Sequence, residues 1–116
     1  MRLRHIKGAE QLIEESPFVI HSPEENKGRW REVFGNDHPI EIEVGMGKGK
    51  FIMDLAAAHP DINYLGVERY SSVLLRALQK RSQLELANIF FLCIDAKEMA
   101  DYFAPGEISR IYLNFS

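Results

Sequence analysis

Residues 43–49 read Glu-Val-Gly-Met-Gly-Lys-Gly, with three glycines at alternate positions behind an acidic residue. The stretch follows a strand-like run at residues 39–42 and precedes an apolar, helix-like run at residues 51–58. Glycines between a strand and a helix let the backbone turn tightly beneath a ligand, which then faces N–H groups and a helix N-terminus. Glu43 favours a ligand that carries positive charge, because a site built only for phosphates would not place a carboxylate there.

The pattern outward from this stretch predicts an α/β fold. Strands are expected at residues 40–44, 64–67, 89–94 and 108–115. Helices are expected at 51–58, after a cap at Ser71 or Ser72, and after Asp95. This alternation implies right-handed crossovers and a Rossmann-like parallel sheet with helices on both faces. Because the chain stops where the loop after the fourth strand should begin, we expect a longer protein whose C-terminal strands are missing here.

Residues 1–38 have a different character and are predicted to be an N-terminal extension to the domain at residues 39–116. Short helices are expected at residues 10–15 and from Ser22, where Ser-Pro-Glu-Glu has the spacing of a capping box. Gly28 weakens the second helix, but Trp30, Val33 and Phe34 keep helical spacing and Gly35 can end it. We expect Trp30 to be a packing anchor.

Composition excludes several classes of protein. The 116 residues carry a net charge of -3, so no overall basic field points to nucleic acid. The single cysteine, Cys93, lies in an apolar run and is predicted to be buried, so no disulfide framework and no metal site are expected. The longest apolar run is too short to span a bilayer and no signal peptide is evident, which predicts a cytoplasmic protein without membrane contact.

Three acidic residues stand at or near the ends of successive predicted strands: Glu43, Glu68 and Asp95. Glu68 lies nineteen residues beyond Gly49, close to the offset of about 20 expected for an acid that binds ribose hydroxyls. Asp95 can accept a hydrogen bond from an adenine amino group. Taken alone, Asp95 can equally be a helix cap, since residues 95–98, Asp-Ala-Lys-Glu, have the spacing of a capping box. Glu68 taken alone can pair with Arg69 or with solvent.

The glycine spacing discriminates between cofactors. A nicotinamide-type fingerprint, Gly-x-Gly-x-x-Gly, needs a third glycine where this chain has Lys50, and no Gly-Lys-Ser/Thr sequence indicates a triphosphate loop. Glu-x-Gly-x-Gly-x-Gly instead suits S-adenosylmethionine, which has an ammonium group and no pyrophosphate. A nicotinamide-dependent oxidoreductase is kept as the alternative.

Four segments together resemble bacterial tRNA (guanine-N7-)-methyltransferases: residues 43–49, 64–68 (Tyr-Leu-Gly-Val-Glu), 95–96 (Asp-Ala) and 112–116 (Tyr-Leu-Asn-Phe-Ser). Residues 1–5 and 27–30 also look like the N-terminal region of that family, so the resemblance covers essentially the whole chain. It implies a class I methyltransferase fold and S-adenosylmethionine-dependent methyl transfer to N7 of a guanine in the tRNA variable loop.

The resemblance also implies site residues. Glu43 would bind the methionine part of the cofactor, with close backbone approach at Gly45; Glu68 and Arg69 would lie at the ribose, and Asp95 and Ala96 at the adenine. We expect Arg2, Arg4 and Lys7 to contact tRNA phosphates. The family's catalytic aspartate directly follows Asn-Phe-Ser, beyond Ser116, so this chain alone is expected to be inactive. A non-catalytic RNA-binding subunit is a second alternative.

Overall fold

The computed structural model describes residues 8–114. In chain order its helices are α1 (Ala9–Glu15), α2 (Trp30–Phe34), α3 (Lys50–Ala58) and α4 (Ser71–Arg81). Two 3-10 helices span Pro23–Asn26 and Ala96–Asp101. The strands are β1 (Ile40–Val44), β2 (Asn63–Val67), β3 (Ile89–Leu92) and β4 (Arg110–Leu113). The predicted phosphate contacts Arg2, Arg4 and Lys7 lie outside the described residues.

The four strands form one parallel sheet in the order β3-β2-β1-β4. The chain therefore builds outward from β1 to β3 on one side and then crosses to the other side for β4. In such sheets ligands bind outside the carboxyl ends of the strands, at the point where the direction of building reverses. Here that point lies between β1 and β4, directly beside the glycine loop that follows β1.

Helices cover both faces of the sheet, as predicted. Alternate side chains of β2 enter different clusters: Tyr64 packs with α1, α3 and α4, whereas Leu65 packs with Trp30 of α2. This alternation is what the pleat of a doubly covered strand requires. Trp30 is fully buried, stacks on Phe103 at 5.0 Å and donates its indole N–H to the Tyr102 carbonyl, so it is the predicted packing anchor.

The segment after α1 covers the outer edge of β3. The Ile20 N–H donates to the carbonyl of Phe91, and the Phe91 N–H donates to the carbonyl of Phe18, both at 2.9 Å. Val19 forms an isolated parallel bridge to Phe91. This pairing protects a strand edge that would otherwise offer free backbone groups to other chains. Within residues 8–114, no helix has the length and apolar character to cross a membrane.

Several expected boundaries are wrong by one to a few residues. β3 ends at Leu92 instead of Ile94, and β4 begins at Arg110 instead of Ile108. The prediction that Cys93 is buried is wrong: it follows the last paired residue of β3 and is exposed. No side-chain hydrogen bond from Ser22 caps the following 3-10 helix, so the predicted capping box is absent there.

Candidate functional site

Backbone hydrogen bonds hold the loop after β1 against the end of β2. The N–H groups of Gly45 and Met46 both donate to the carbonyl of Val67 at 3.0 Å. The Met46 side chain is buried beneath the sheet, where a Cβ at position 66 would collide with its sulfur. Because residue 66 in β2 is glycine, the Met46 side chain can pack there and anchor the loop. In the sequence, only the resemblance of residues 64–68 to the family pointed to Gly66.

Gly45 is the point of closest backbone approach between this loop and the end of β4. Its φ is 73°, and a Cβ there would lie 2.8 Å from the carbonyl oxygen of Asn114. Both features require glycine, the first through backbone strain and the second through steric overlap. The loop and the residue that follows β4 therefore share one crowded edge of the sheet.

Glu68 links this loop to the start of α4. Its Oε1 accepts the N–H of Gly47 at 3.1 Å, and its Oε2 accepts the N–H of Tyr70 at 3.0 Å. The residue is 7% exposed. Each carboxylate oxygen has a second acceptor position, so Glu68 can accept two ligand hydroxyls while it keeps both backbone bonds. The prediction that Ser71 or Ser72 caps α4 is wrong, because Tyr70 is the residue that precedes this helix.

Glu43 is a buried carboxylate with one partner. It is 0% exposed, and its Oε2 accepts a hydrogen bond from the Asn114 side-chain amide at 3.2 Å. Its Oε1 is buried and has no hydrogen-bond partner among the described residues. Burial raises the pKa of Glu43, and the bond from Asn114 opposes that rise. An unpartnered buried carboxylate oxygen is rare in native proteins, and a cationic ligand group would satisfy it.

Asp95 caps the 3-10 helix that follows β3. Its Oδ1 accepts the N–H of Lys97 at 3.1 Å, and its own N–H donates to the Glu98 carboxylate at 3.0 Å, which is the predicted capping box. Its Oδ2 lies 3.5 Å from a guanidinium nitrogen of Arg69. The Arg69 guanidinium also stacks over the ring of Tyr70, at 4.6 Å from the ring centroid. Asp95 is thus a cap in this structure, and its adenine contact stays a prediction.

A cavity of about 500 Å³ opens at this edge of the sheet. Five of the six predicted cofactor residues line it: Gly45, Glu68, Arg69, Asp95 and Ala96. Glu43 lines an adjacent cavity of about 450 Å³ with Asn114, and Asn114 lines both. Within residues 8–114, no group of three His, Cys, Asp or Glu side chains could hold a metal ion.

Sequence reasoning missed several residues of the larger cavity, among them Tyr70, Val73, Ile94 and Asn114. Val73 and Ile94 give the cavity an apolar wall of the kind that suits a flat aromatic ring. Their signal was available, since Ile94 is the last residue of one predicted strand and Val73 stands a few residues after the end of another. Asn114 was noted only as part of the family motif at residues 112–116, and its contact with Glu43 joins residues 71 positions apart.

A family of proteins described as "Putative methyltransferase" matches residues 37–116, which include all six predicted cofactor residues. The chain belongs to this methyltransferase family. Among its curated relatives, the tRNA (guanine-N(7)-)-methyltransferase of Lachnoclostridium phytofermentans is 57% identical over 116 residues, which are all of this chain and 54% of the relative. The enzyme of the same description from a Geobacillus species is 56% identical over 117 residues, covering all of this chain and 53% of the relative.

The chain thus spans about half the length of the curated relatives it matches. The methyltransferase fold is supported separately by a solved structure, "Structure of an Antibiotic Related Methyltransferase", which superposes with a TM-score of 0.62. That match covers 84% of this chain and 49% of the other, at 24% identity. The predicted resemblance to bacterial tRNA (guanine-N7-)-methyltransferases is confirmed, and these matches give the nicotinamide-dependent alternative no support.

Proposed function

We propose that this chain supplies the S-adenosylmethionine-binding half of a tRNA (guanine-N7-)-methyltransferase, which methylates N7 of a guanine in the tRNA variable loop. The observation that carries the proposal is the buried Glu43 carboxylate, whose Oε1 has no partner among the described residues beside a glycine loop. A nicotinamide cofactor has no ammonium group to meet that oxygen. S-Adenosylmethionine has one, on its methionine part.

The residues around the two cavities fit the rest of this ligand. Glu68 has an acceptor position left on each oxygen, which matches the two ribose hydroxyls. Val73, Ile94 and Ala96 line the larger cavity and suit the adenine ring. Asp95 lines the same cavity, and its Oδ2 lies near Arg69. We assign the adenine amino group to this part of the site. Gly45 keeps the backbone clear for the part of the ligand between these groups.

The proposed reaction depends mainly on how the methyl group and guanine N7 are aligned. When bound, S-adenosylmethionine supplies a methyl group on a sulfonium, which is a leaving group that needs no protonation. Guanine N7 has an exposed lone pair, so no general base is required to activate it. The protein's task is to hold the two reactants in line and to exclude water, which can account for a large part of a rate enhancement. Glu43 and Glu68 contribute to the first part of this task by holding the methionine part and the ribose, which lie on either side of the sulfonium.

The proposed division of the chain assigns tRNA contact to residues 1–38 and cofactor binding to residues 39–116. Arg2, Arg4 and Lys7 would bind phosphates of the tRNA, and such contacts weaken as salt rises. The start of α1 supports this assignment. Glu10 in its first turn lines one small cavity with Ser71, the first residue of α4, and with Cys93, which follows β3. The first turn of α1 therefore lies at the edge where the strands end, on the side of the proposed reaction.

The activity can be tested with the complete gene product and unmodified tRNA transcripts. Incubation with S-adenosylmethionine should produce N7-methylguanosine, detected by mass spectrometry of the digested RNA, and chain cleavage at the modified base should locate it in the variable loop. A Glu68→Ala protein serves as the matched control and should give much less product. An active preparation that methylates a different atom or a different RNA would overturn the proposal. The 116-residue chain alone should bind the cofactor without transferring its methyl group.

The proposed substrate also suggests a cellular location. The proposed substrate, tRNA, points to the cytoplasm as the place where the enzyme acts. Fractionation of cells that carry a tagged copy of the complete gene product would test this.

A further inference from the structure

Asn114, the residue after β4, makes three contacts with the end of β1 and the glycine loop. Its backbone N–H donates to the carbonyl of Val44 at 3.2 Å, and its side-chain amide donates to Glu43 Oε2 at 3.2 Å. Its carbonyl oxygen lies over Gly45, where no Cβ could be accommodated. No other described residue touches Glu43, Gly45 and both cavities in this way.

From these contacts we propose that Asn114 is a positioning residue, whose amide turns the Glu43 carboxylate so that Oε1 faces the ammonium group of S-adenosylmethionine. This rests on the proposed function, since it assumes that Glu43 binds the methionine part of that ligand. It goes beyond that function in naming a residue that acts on affinity through Glu43.

Hydrogen-bond donors and acceptors determine which Glu43 oxygen stays unpartnered. A carboxylate has two equivalent oxygens and rotates about its Cγ–Cδ bond, so something must determine which oxygen meets the ligand. The Asn114 amide can only donate through its nitrogen, and that donor is used on Oε2. The backbone bond to Val44 and the packing on Gly45 hold Asn114 itself in place. The unpartnered oxygen is therefore fixed as Oε1.

The inference separates two parts of the ligand, which makes it testable by ligand truncation. S-Adenosylhomocysteine carries the amino-acid part, whereas 5′-methylthioadenosine keeps only the adenine, the ribose and the sulfur. Both would be titrated into the 116-residue chain by calorimetry. Replacing Asn114 by leucine keeps the branched shape and the number of heavy atoms of the side chain and removes the donor. We expect the dissociation constant for S-adenosylhomocysteine to rise roughly 10- to 100-fold, as loss of a hydrogen bond to a charged group predicts.

The dissociation constant for 5′-methylthioadenosine should change by less than about twofold, since that ligand has no group for Glu43 to bind. A Glu107→Ala protein is the control: it loses the carboxylate that accepts N–H groups from Gly28, Trp30 and Ala104 before β4, away from both cavities, and should leave both constants unchanged. Asn114→Ser, whose side chain is too short to reach Glu43, repeats the test if the leucine variant folds poorly, and it should show the same selective loss.

Three results would count against the inference. Equal weakening of both ligands by the Asn114 variants would show a general structural role and overturn the inference, as would unchanged affinity for both. Either result leaves the proposed function intact as long as the wild-type chain binds S-adenosylhomocysteine. If the wild-type chain binds neither ligand, the proposed function fails and the inference fails with it.

Discussion

Glu68 Oε1 lies 3.1 Å from the amide nitrogen of Gly47, so the carboxylate at the end of β2 holds the loop that follows β1. The other oxygen of Glu68 holds the N–H of Tyr70, which directly precedes α4. Glu68, which is proposed to bind the ribose, thus also holds the glycine loop and the start of α4 in place. Loop stability and ligand affinity should respond together when this residue is changed.

The first prediction concerns that coupling. Glu68→Ala should lower the free energy of unfolding by about 2 kcal/mol, because two amide N–H groups lose charged acceptors. It should also abolish measurable S-adenosylhomocysteine binding. Urea denaturation and calorimetry measure the two effects.

Glu107→Ala is the control for stability loss without ligand loss. The Glu107 carboxylate accepts three backbone N–H groups, from Gly28, Trp30 and Ala104 at 2.9, 3.1 and 2.9 Å. It lies before β4, at the opposite edge of the sheet from the glycine loop. The variant should be destabilised and still bind the ligand with wild-type affinity once folded. Wild-type affinity in Glu68→Ala would remove Glu68 from the site.

The second prediction concerns Gly45. Gly45→Ala combines a left-handed backbone with a methyl group 2.8 Å from the Asn114 carbonyl oxygen. Gly106→Ala has a similar φ of 78° and open space around its Cβ, so it reports the backbone strain alone. Strain of this kind costs about 1–2 kcal/mol, and Gly45→Ala should cost clearly more than its control. Equal melting temperatures for the two variants would contradict the close approach of Gly45 and Asn114.

The third prediction concerns pH. Burial raises the pKa of Glu43 above its ordinary value of 4.5, so the folded chain holds this proton more tightly than the unfolded chain. Stability contributed by Glu43 is then greatest at low pH and falls as pH rises from the unfolded pKa through the folded one. Glu43→Gln should remove this fall in stability. The free energy of unfolding of the variant should therefore increase relative to that of the wild type as pH rises.

Urea denaturation from about pH 4 to about pH 8 measures that difference and cancels the contributions of the other carboxylates. The same substitution should weaken S-adenosylhomocysteine, because an amide has no charge to offer the ammonium group. A difference in stability that is independent of pH would show that the Glu43 carboxylate is not perturbed by burial.

The fourth prediction separates the two roles of Asp95. Asparagine is as good a helix cap as aspartate, so Asp95→Asn should keep the stability that Asp95→Ala loses, about 1 kcal/mol. If the Asp95 carboxylate also accepts the adenine amino group, Asp95→Asn should weaken adenosine-containing ligands despite its intact cap. Thermal unfolding and calorimetry on both variants measure this, and equal affinity in wild type and Asp95→Asn would leave Asp95 with the cap alone.

Local pattern was sufficient for the sheet and for much of the site. The strand at residues 40–44 was predicted at its observed bounds, because proline before it and glycine after it leave little choice of where the strand begins and ends. The cavity-lining positions of Gly45, Glu68 and Asp95 follow from the rule that parallel strands present their carboxyl ends at one edge. The capping box at Asp95 is likewise a local signal, and it is present.

The features that sequence did not reveal depend on contacts between distant residues. Cys93 is exposed because β3 pairs with β2 only as far as Leu92, and the length of β2 cannot be read from residues 89–94. α4 begins after Tyr70 without a serine cap because Glu68 holds that N–H. The partnership of Asn114 with Glu43 crosses from β4 to β1, and it requires the strand order to be known.

The most direct measurement is a calorimetric titration of the 116-residue chain with S-adenosylmethionine and, separately, with NADH. The account predicts saturable binding of S-adenosylmethionine at one site, which is lost in Glu68→Ala and retained in Glu107→Ala, and no binding of NADH. Tight binding of NADH together with no binding of S-adenosylmethionine would contradict it.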